Sequence, residues 1–276
     1  MSPTSIAALG AIAGVTIFLG LPVGRLGHVA RRPRALLSSV ATGILIFLVW
    51  DVLSHAWEPI DAALSDGATG AVAGYGAIFA VAFATGLMGL VYLDRWFDRR
   101  ARQPVPVGAG AAAEPAGGGL SPAVARAQRL AMMIAVGIGL HNFAEGLAIG
   151  SSAASGALQL AVLLVIGFAL HNATEGFGIV APLAVEGYRP SWGFLGVLGL
   201  VGGGPTFLGS LVGQRFVSEV ASVAFLALAA GSILYVVVEL LAVARRVGAK
   251  ELTTWGLVIG VLLGFATDAI VTAAGA

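Results

Sequence analysis

Two polar hexapeptides interrupt apolar stretches of this chain, HNFAEG at 141–146 and HNATEG at 171–176. Each contains His, Asn and Glu at its first, second and fifth positions, followed by Gly. They contain two of the four histidines in the sequence. An ionisable side chain inside a membrane costs several kcal/mol unless it is paired or bound, so such clusters usually mark function. The two hexapeptides are therefore the first candidates for chemistry.

The spacing within each hexapeptide places its polar groups on one helix face. His141 and Glu145 are four residues apart, and Asn142 precedes Glu145 by three, so an α-helix brings them together. Two imidazoles, two carboxylates and two amide oxygens suit a divalent metal, zinc first, with iron, manganese, cobalt and cadmium also compatible. The predicted metal ligands are His141, Asn142, Glu145, His171, Asn172 and Glu175.

Other readings of the hexapeptides exist. A lone His in a membrane helix often bonds a backbone carbonyl, and the same His and Glu residues could form a proton relay. Neither explains the paired asparagines, and two matching copies favour a metal pathway. A structural zinc site is normally closed by four strong ligands, often Cys, and this chain has no Cys. Mixed nitrogen and oxygen ligands fit a metal that must also leave.

The composition indicates a protein surrounded by lipid. The chain is 58% hydrophobic with a mean hydropathy of +0.95, and 11% of its residues are charged. A soluble domain has about 25% charged residues, so this chain cannot coat a water-facing surface. The net charge of +1 argues against a nucleic-acid partner, which would require clustered basic residues.

Eight apolar stretches are long enough to cross a bilayer, which takes roughly 20 helical residues. The first lacks a basic n-region and is predicted to be a retained helix rather than a signal peptide. The predicted fold class is all-α integral membrane, with a single transmembrane domain over 1–276 and a flexible, Pro-, Gly- and Ala-rich linker at about 97–122. The predicted spans are 5–25, 35–57, 71–93, 127–151, 157–185, 192–213, 217–243 and 252–274.

Basic residues predict the orientation of the spans. Fourteen of the fifteen Lys and Arg residues fall in odd-numbered connections, and only Arg215 falls in an even-numbered one. The second connection is assigned the acidic residues Glu58, Asp61 and Asp66. The positive-inside rule then predicts that both termini lie outside and that the linker lies in the cytoplasm. The predicted location is the plasma (inner) membrane of the cell. His141 would lie roughly 15 Å from the end of its helix near Ser151, close to the midplane.

Four further polar residues are candidates for the ends of a cation pathway. Asp51 and His55 are four residues apart near the outer end of the second span, and Asp268 is near the outer end of the eighth. These three could form an entrance, or they could be a helix-end ion pair and a solvated surface group. Glu239, near the cytoplasmic end of the seventh span, could line an exit or could snorkel to the interface.

The repeated HNxxEG on adjacent spans, the eight spans and the long loop after the third resemble the prokaryotic ZIP (Zrt/Irt-like) divalent metal transporters over essentially the whole chain. The resemblance implies a transporter rather than an enzyme, with the metal as substrate and no cofactor. It also implies that spans 1, 4, 5 and 6 move against spans 2, 3, 7 and 8 in an elevator-like manner. By this similarity the primary metal would be held by His141, Glu145, His171 and Glu175, and Asn142 and Asn172 would contribute to a second position that shares the glutamates.

The chain also departs from the ZIP pattern. Ala144 and Thr174 occupy the position before Glu where the family usually has Pro. The local helix break that Pro causes is therefore less expected in this chain. Gly204 precedes Pro205 where some members carry Glu, so we expect the second metal position to be weak. The linker lacks the histidines that many relatives have there.

Two rival functions belong to other classes. An intramembrane metal-dependent hydrolase would use a His/Glu site to activate water, but the HExxH arrangement and a Ser/His/Asp set are not apparent. A metal sensor or membrane scaffold would need an output domain. The sequence leaves the oligomeric state open, with a homodimer among the alternatives.

Overall fold

The computed structural model of the chain describes residues 2–26, 31–101, 120–215 and 218–273. These ranges contain helices and no strand. Most of the predicted flexible linker, 102–119, lies outside the described residues. The elements are α1 (Pro3–Val15), α2 (Ile17–Gly20), a 3₁₀ turn (Leu21–Arg25), α3 (Arg31–Ser65), α4 (Thr69–Ala101), α5 (Pro122–Ala154), α6 (Leu158–Val185), α7 (Trp192–Gly213), α8 (Glu219–Val247) and α9 (Lys250–Ala273).

Eight helical segments in the described ranges are long and apolar enough to cross a membrane. The first consists of α1, α2 and the 3₁₀ turn, and α3 to α9 are the other seven. The predicted all-α integral membrane fold with eight transmembrane helices is therefore confirmed.

Two helices continue further than the hydropathy predicts. α3 ends at Ser65 rather than at 57, and α4 ends at Ala101. α4 thus continues past the approximate start of the predicted linker at 97, and the flexible linker itself stays a prediction. Hydropathy identifies only the part of a helix that lies in the hydrocarbon of the membrane, whereas the helix itself can continue into water where polar side-chain pairs stabilise it. Trp57 and Asp61 form one such pair, in which Trp57 Nε1 donates to Asp61 Oδ1 at 2.9 Å. Asp61 therefore lies on α3 rather than in a loop.

The first span, predicted at 5–25, runs over Pro3–Arg25, and its hydrogen-bond ladder is irregular at Thr16 although the backbone stays helical there. α1 ends at Val15, and Thr16 separates it from α2. The Thr16 hydroxyl donates to the Ala13 carbonyl at 2.6 Å, and such a local bond competes with the helical ladder. The chain then passes into the 3₁₀ turn at Leu21, with Pro22 in its first positions.

Close glycine contacts join α1, α2, α5, α6 and α7 into one group, which we name the site bundle. A Cβ on Gly146 of α5 would lie 2.2 Å from the Thr206 carbonyl oxygen of α7, and one on Gly209 would lie 2.1 Å from the Phe143 carbonyl oxygen. Only glycine permits backbones to approach this closely, as is common between membrane helices. Gly203 makes the equivalent approach to α1, with a Cβ position 2.1 Å from the Gly14 carbonyl oxygen.

The remaining helices pair by the same kind of contact, α3 with α9 and α4 with α8, and α3 also packs against α8; we name these four helices the support bundle. A Cβ on Gly260 would lie 2.1 Å from the Val40 carbonyl oxygen, and one on Gly86 would lie 2.1 Å from the Leu228 carbonyl oxygen. Among the described glycines, none has a Cβ position within 3 Å of a backbone atom across the two bundles. Gly137, for example, faces the Val236 side chain there.

Candidate metal centre

The two hexapeptides lie at matching depths in neighbouring antiparallel helices. His141 is 13 residues before the end of α5 at Ala154, and His171 is 13 residues after the start of α6 at Leu158. At 1.5 Å per residue, each lies roughly 20 Å from the loop that joins the two helices. Both helices continue without a break through the hexapeptides. This continuity agrees with the absence of proline before the glutamates, and Thr174 Oγ1 instead donates to the His171 carbonyl at 2.7 Å.

Glu145 is the centre of the site because the Nε2 atoms of both imidazoles lie next to the same carboxylate oxygen of Glu145. His141 Nε2 lies 3.0 Å from Glu145 Oε1, and His171 Nε2 lies at hydrogen-bond distance from the same atom. One ligand atom from each of the three residues falls within 4.8 Å of the other two. His141 and Glu145 are buried, and the His171 side chain is 11% exposed. Two nitrogens and an oxygen in this arrangement can bind one divalent cation.

The other three hexapeptide residues lie beside this group and are also buried. Asn142 Nδ2 donates to the Gly202 carbonyl at 2.9 Å and lies 3.4 Å from Glu175 Oε2. Asn172 Nδ2 donates to the Ala13 carbonyl at 3.2 Å. The structure thus joins His141, Glu145 and His171 directly, and it places Glu175 against Asn142.

Four oxygens at the site are buried and have no hydrogen-bond partner in the protein. A buried polar atom is nearly always satisfied, so each exception needs a reason. Carboxylate and amide oxygens of this kind are ligands for divalent cations, and a bound cation would supply the partner that they lack. The four atoms are Asn142 Oδ1, Glu145 Oε2, Asn172 Oδ1 and Glu175 Oε1.

Comparison with known proteins identifies the family. A family model for ZIP zinc transporters matches residues 108–272, which is more than half of the chain and includes both hexapeptides. The chain belongs to the ZIP family. Among curated proteins, none matches it significantly. This ZIP protein is therefore a multi-pass membrane transporter of divalent metal and not an enzyme.

The candidate entrance of the ZIP protein contains the ion pairs that the sequence left as an alternative. On α3, His55 Nδ1 lies 3.7 Å from Asp51 Oδ1, and His55 Nε2 lies 4.0 Å from Glu58 Oε1. The His55 side chain is 57% exposed, whereas that of Asp51 is 26% exposed. These three residues share one face of α3 in the outer half of the predicted topology.

The structure also brings Asp268 of α9 to this face. Asp268 interacts electrostatically with Asp51 and with His55, although it is distant in sequence. Asp51 in turn interacts electrostatically with His141 and His171. The candidate entrance residues are therefore near one another, and Asp51 is within electrostatic reach of both imidazoles of the metal centre.

Glu239, the candidate exit residue of α8, lines a cavity of about 160 Å³ together with Asp94, Glu186, Arg129 and Arg246. It interacts electrostatically with Asp94 and Arg246. Glu239 is half-buried, so it faces this polar cavity rather than lipid alone.

Sequence reasoning missed an ionic link between the two bundles beside this cavity. Arg129 of α5 lies 3.3 Å from Asp94 Oδ1 through Nε and 2.6 Å from Asp98 Oδ1 through Nη2. Asp94 and Asp98 are four residues apart on α4, a spacing that marks one helix face. Their partner, Arg129, lies beyond the long linker, so the spacing of Asp94 and Asp98 alone could not predict the pairing.

Gly204 is not packed against another helix, unlike the neighbouring Gly202 and Gly203 of α7. A Cβ there would meet no atom within 4 Å. The position therefore opens onto space rather than onto the packed interior, and Gly204 itself has no side chain to offer a metal. The expectation of a weak second metal position stays a prediction.

Proposed function

We propose that this ZIP protein carries zinc across the plasma membrane toward the cytoplasm through the centre formed by His141, Glu145 and His171. The observation that carries the proposal is the convergence of both imidazoles on Glu145 Oε1, with ligand atoms within 4.8 Å of one another. Two imidazoles and a carboxylate are a common protein ligand set for zinc with a coordination position left open. An open position suits an ion that is taken up and released.

Charge balance supports a divalent cargo. Glu145 and Glu175 are the two acidic side chains of the centre, and both are buried. A divalent cation bound between two carboxylates is neutralised, which offsets the penalty of holding a charge in a low-dielectric region. Asn142 and Asn172 add neutral oxygens, so we assign them to the site as well. Iron, manganese, cobalt and cadmium remain competitors of zinc because their ligand preferences overlap.

The distribution of charge supports the orientation on which the proposed direction of transport depends. Basic residues concentrate in the odd-numbered connections, which by the positive-inside rule would lie in the cytoplasm. Glu58, Asp61 and Asp66 would then face the outside and raise the local concentration of cations, an effect that salt screens. With both termini outside, Asp51, His55 and Asp268 would lie on the entry side of the centre and Glu239 on the exit side.

An elevator-like movement fits the division into two bundles. All six proposed ligands lie on α5 and α6 of the site bundle. Close backbone contacts join the helices of the site bundle and the pairs α3–α9 and α4–α8, whereas contacts between the bundles involve side chains, such as Ser232 Oγ, which donates to the Gly137 carbonyl at 2.9 Å. This division supports a movement of the site bundle against the support bundle with the ligand set intact.

A cavity of about 180 Å³ supports release toward the cytoplasm. It lies between the bundles and is lined by Phe177, Val180 and Ala184 of α6 and by Ser39 of α3 and Val243 of α8. Phe177 follows Glu175 by two residues, and Ala184 lies near the cytoplasmic end of the same helix. The cavity thus lies between the level of the metal centre and the predicted cytoplasmic face.

Uptake into proteoliposomes tests the proposal. The purified protein should accumulate zinc saturably, and Glu145→Ala should abolish the accumulation while the variant still reconstitutes. Competition by iron, manganese, cobalt and cadmium would rank the substrates, and light scattering would show whether the protein is a homodimer. Absence of uptake of any of these metals by well-folded protein would refute the transport assignment at this site.

A further inference from the structure

The only two asparagines of this chain are Asn142 and Asn172, one in each hexapeptide. Both are fully buried. Each donates its side-chain amide to a backbone carbonyl of a different helix, Asn142 to α7 and Asn172 to α1. A carbonyl can only accept, so these contacts fix which side of each amide is nitrogen and which is oxygen.

Asn142 connects a fixed backbone atom to a candidate ligand. Its Nδ2 carries two hydrogens, one directed to the Gly202 carbonyl at 2.9 Å and the other toward Glu175 Oε2 at 3.4 Å. The Gly202 carbonyl lies on the continuous helix α7, one turn before Pro205, which lacks the N–H for the neighbouring Val201 carbonyl. Asn142 therefore holds the Glu175 carboxylate in place from the α7 backbone.

Asn172 binds the first span close to Thr16, where the hydrogen-bond ladder of that span is irregular. The Ala13 carbonyl lies at the end of α1 and also accepts from the Thr16 hydroxyl at 2.6 Å. Close glycine packing surrounds this point, since a Cβ on Gly20 would lie 2.2 Å from the Ala173 carbonyl oxygen of α6. Asn172 thereby fixes α6 against the first span, one residue after His171.

We propose that Asn142 and Asn172 are positioning residues. Their amide N–H groups, bound to the Gly202 and Ala13 carbonyls, hold Glu175 and the two amide oxygens in the orientation that the metal requires. This inference deepens the proposed function and depends on it. It assigns the amide nitrogens a role separate from the role of the oxygens as ligands.

The inference makes a carboxylate unsuitable at either position. Asp has the shape of Asn and offers a stronger, charged ligand to a divalent cation, but it cannot donate to a carbonyl. At 142 it would also place a negative charge beside Glu175 Oε2 and the Gly202 carbonyl oxygen. If the asparagines acted only as ligands, Asp would bind metal at least as tightly as Asn. If the amide N–H groups position the site, Asp should bind more weakly.

The test compares Asn→Asp with Asn→Leu at each position by measuring the zinc dissociation constant of the purified full-length protein. Loss of groups that orient metal ligands typically weakens affinity by roughly 10- to 100-fold. We expect this loss in Asn142→Asp and Asn172→Asp, with affinities no better than those of the Leu variants. Zinc binding by either Asp variant that equals or exceeds the original affinity would overturn the inference for that residue.

Two controls separate this inference from the proposed function and from misfolding. Glu145→Ala should lose zinc binding; if it does not, the metal-site assignment fails, whatever the asparagines do. Selective labelling with ¹⁵N-asparagine gives two side-chain amide signals, because the chain has two asparagines. In each single variant the remaining signal should keep its position, which shows that the rest of the site bundle is intact.

The labelled unmutated protein supplies a measurement that does not depend on the folding of a variant. Both amide groups should resist hydrogen exchange with and without zinc, because their donors are bound to backbone carbonyls. Rapid exchange of either group in folded protein would show that its N–H is free, and the inference would then be wrong for that residue.

Discussion

At the scale of single residues, Glu145 is the group on which the site depends. Both imidazoles meet its Oε1, and its Oε2 has no partner in the protein. Glu175 is equally buried but is oriented by Asn142 instead of by a histidine. The two copies of one hexapeptide therefore have different surroundings, although their sequences match at four positions.

Removal of either glutamate should stop transport, whereas removal of Asp51 should only slow it. Glu145→Ala and Glu175→Ala each delete a buried carboxylate that would neutralise the metal in a low-dielectric region. Asp51 is partly exposed on α3 and would act on the approach of the cation. Initial rates of zinc uptake in proteoliposomes measure the three variants side by side. Near-normal transport by Glu175→Ala would contradict the assignment of that residue.

The protein should bind one zinc ion tightly and at most one more weakly. Two divalent ions that share only Glu145 and Glu175 would repel one another, and Gly204 offers no carboxylate nearby. At a few ångströms and an effective dielectric near 20, the repulsion is on the order of several kcal/mol or more. Calorimetric titration of metal-free protein should give one tight equivalent per chain. Two equivalents of similar affinity, both lost in Glu145→Ala, would show that the asparagine oxygens form a full second position.

At the scale of helices, the contact between α5 and α7 determines whether the centre keeps its geometry. Gly146, which ends the first hexapeptide, lies against the backbone of Thr206, and Gly209 lies against that of Phe143. The glycines therefore belong to the site, because they allow α7 to bring the Gly202 carbonyl to Asn142. Each hexapeptide ends in Gly for this reason, since Gly176 makes the same kind of approach to Ile17 of α2.

A methyl group at Gly209 should destabilise the protein, whereas one at Gly204 on the same helix should not. A Cβ at 209 would lie 2.1 Å from the Phe143 carbonyl oxygen, and one at 204 would meet nothing within 4 Å. Overpacking typically costs about 1–3 kcal/mol, while Ala in place of Gly within a helix gains up to about 1 kcal/mol. Thermal unfolding in detergent, compared for Gly209→Ala and Gly204→Ala, checks this. Equal melting temperatures for the two variants would mean that α5 and α7 are not packed this closely.

At the scale of the whole molecule, the two bundles and the cavities between them define what can move. The cavity beside Val180 and the one beside Glu239 both lie toward the predicted cytoplasmic side, between helices of the two bundles. Arg129, bound to Asp94 and Asp98, links the bundles on that same side. An elevator-like movement would have to break this link.

The predicted topology can be tested with single cysteines because the chain has none of its own. Cysteines at Asp66, between α3 and α4, and at Ala113, in the linker outside the described residues, should react with a membrane-impermeant reagent from opposite sides. The positive-inside asymmetry places Asp66 outside and Ala113 inside. Reaction of both from the same side would overturn the orientation and, with it, the proposed direction of transport.

The sequence alone determined the chemistry and the number of spans. Helical periodicity is local, so the placement of His141 above Glu145 on one face required only their spacing of four residues. Length and apolar content required eight membrane segments, which the structure has. The repeated HNxxEG was specific enough to indicate the ZIP family before any comparison.

The tertiary structure decided which of these groups meet. Nothing in the spacing distinguishes Glu145 from Glu175, yet the packing of α5 against α6 directs His171 to Glu145. Similarly, the partners of Asn142 and Asn172 are the carbonyls of Gly202 and Ala13, on helices distant in sequence. These contacts depend on how closely glycines let the helices approach and at what angle they cross. Side-chain spacing along one helix contains no information about either.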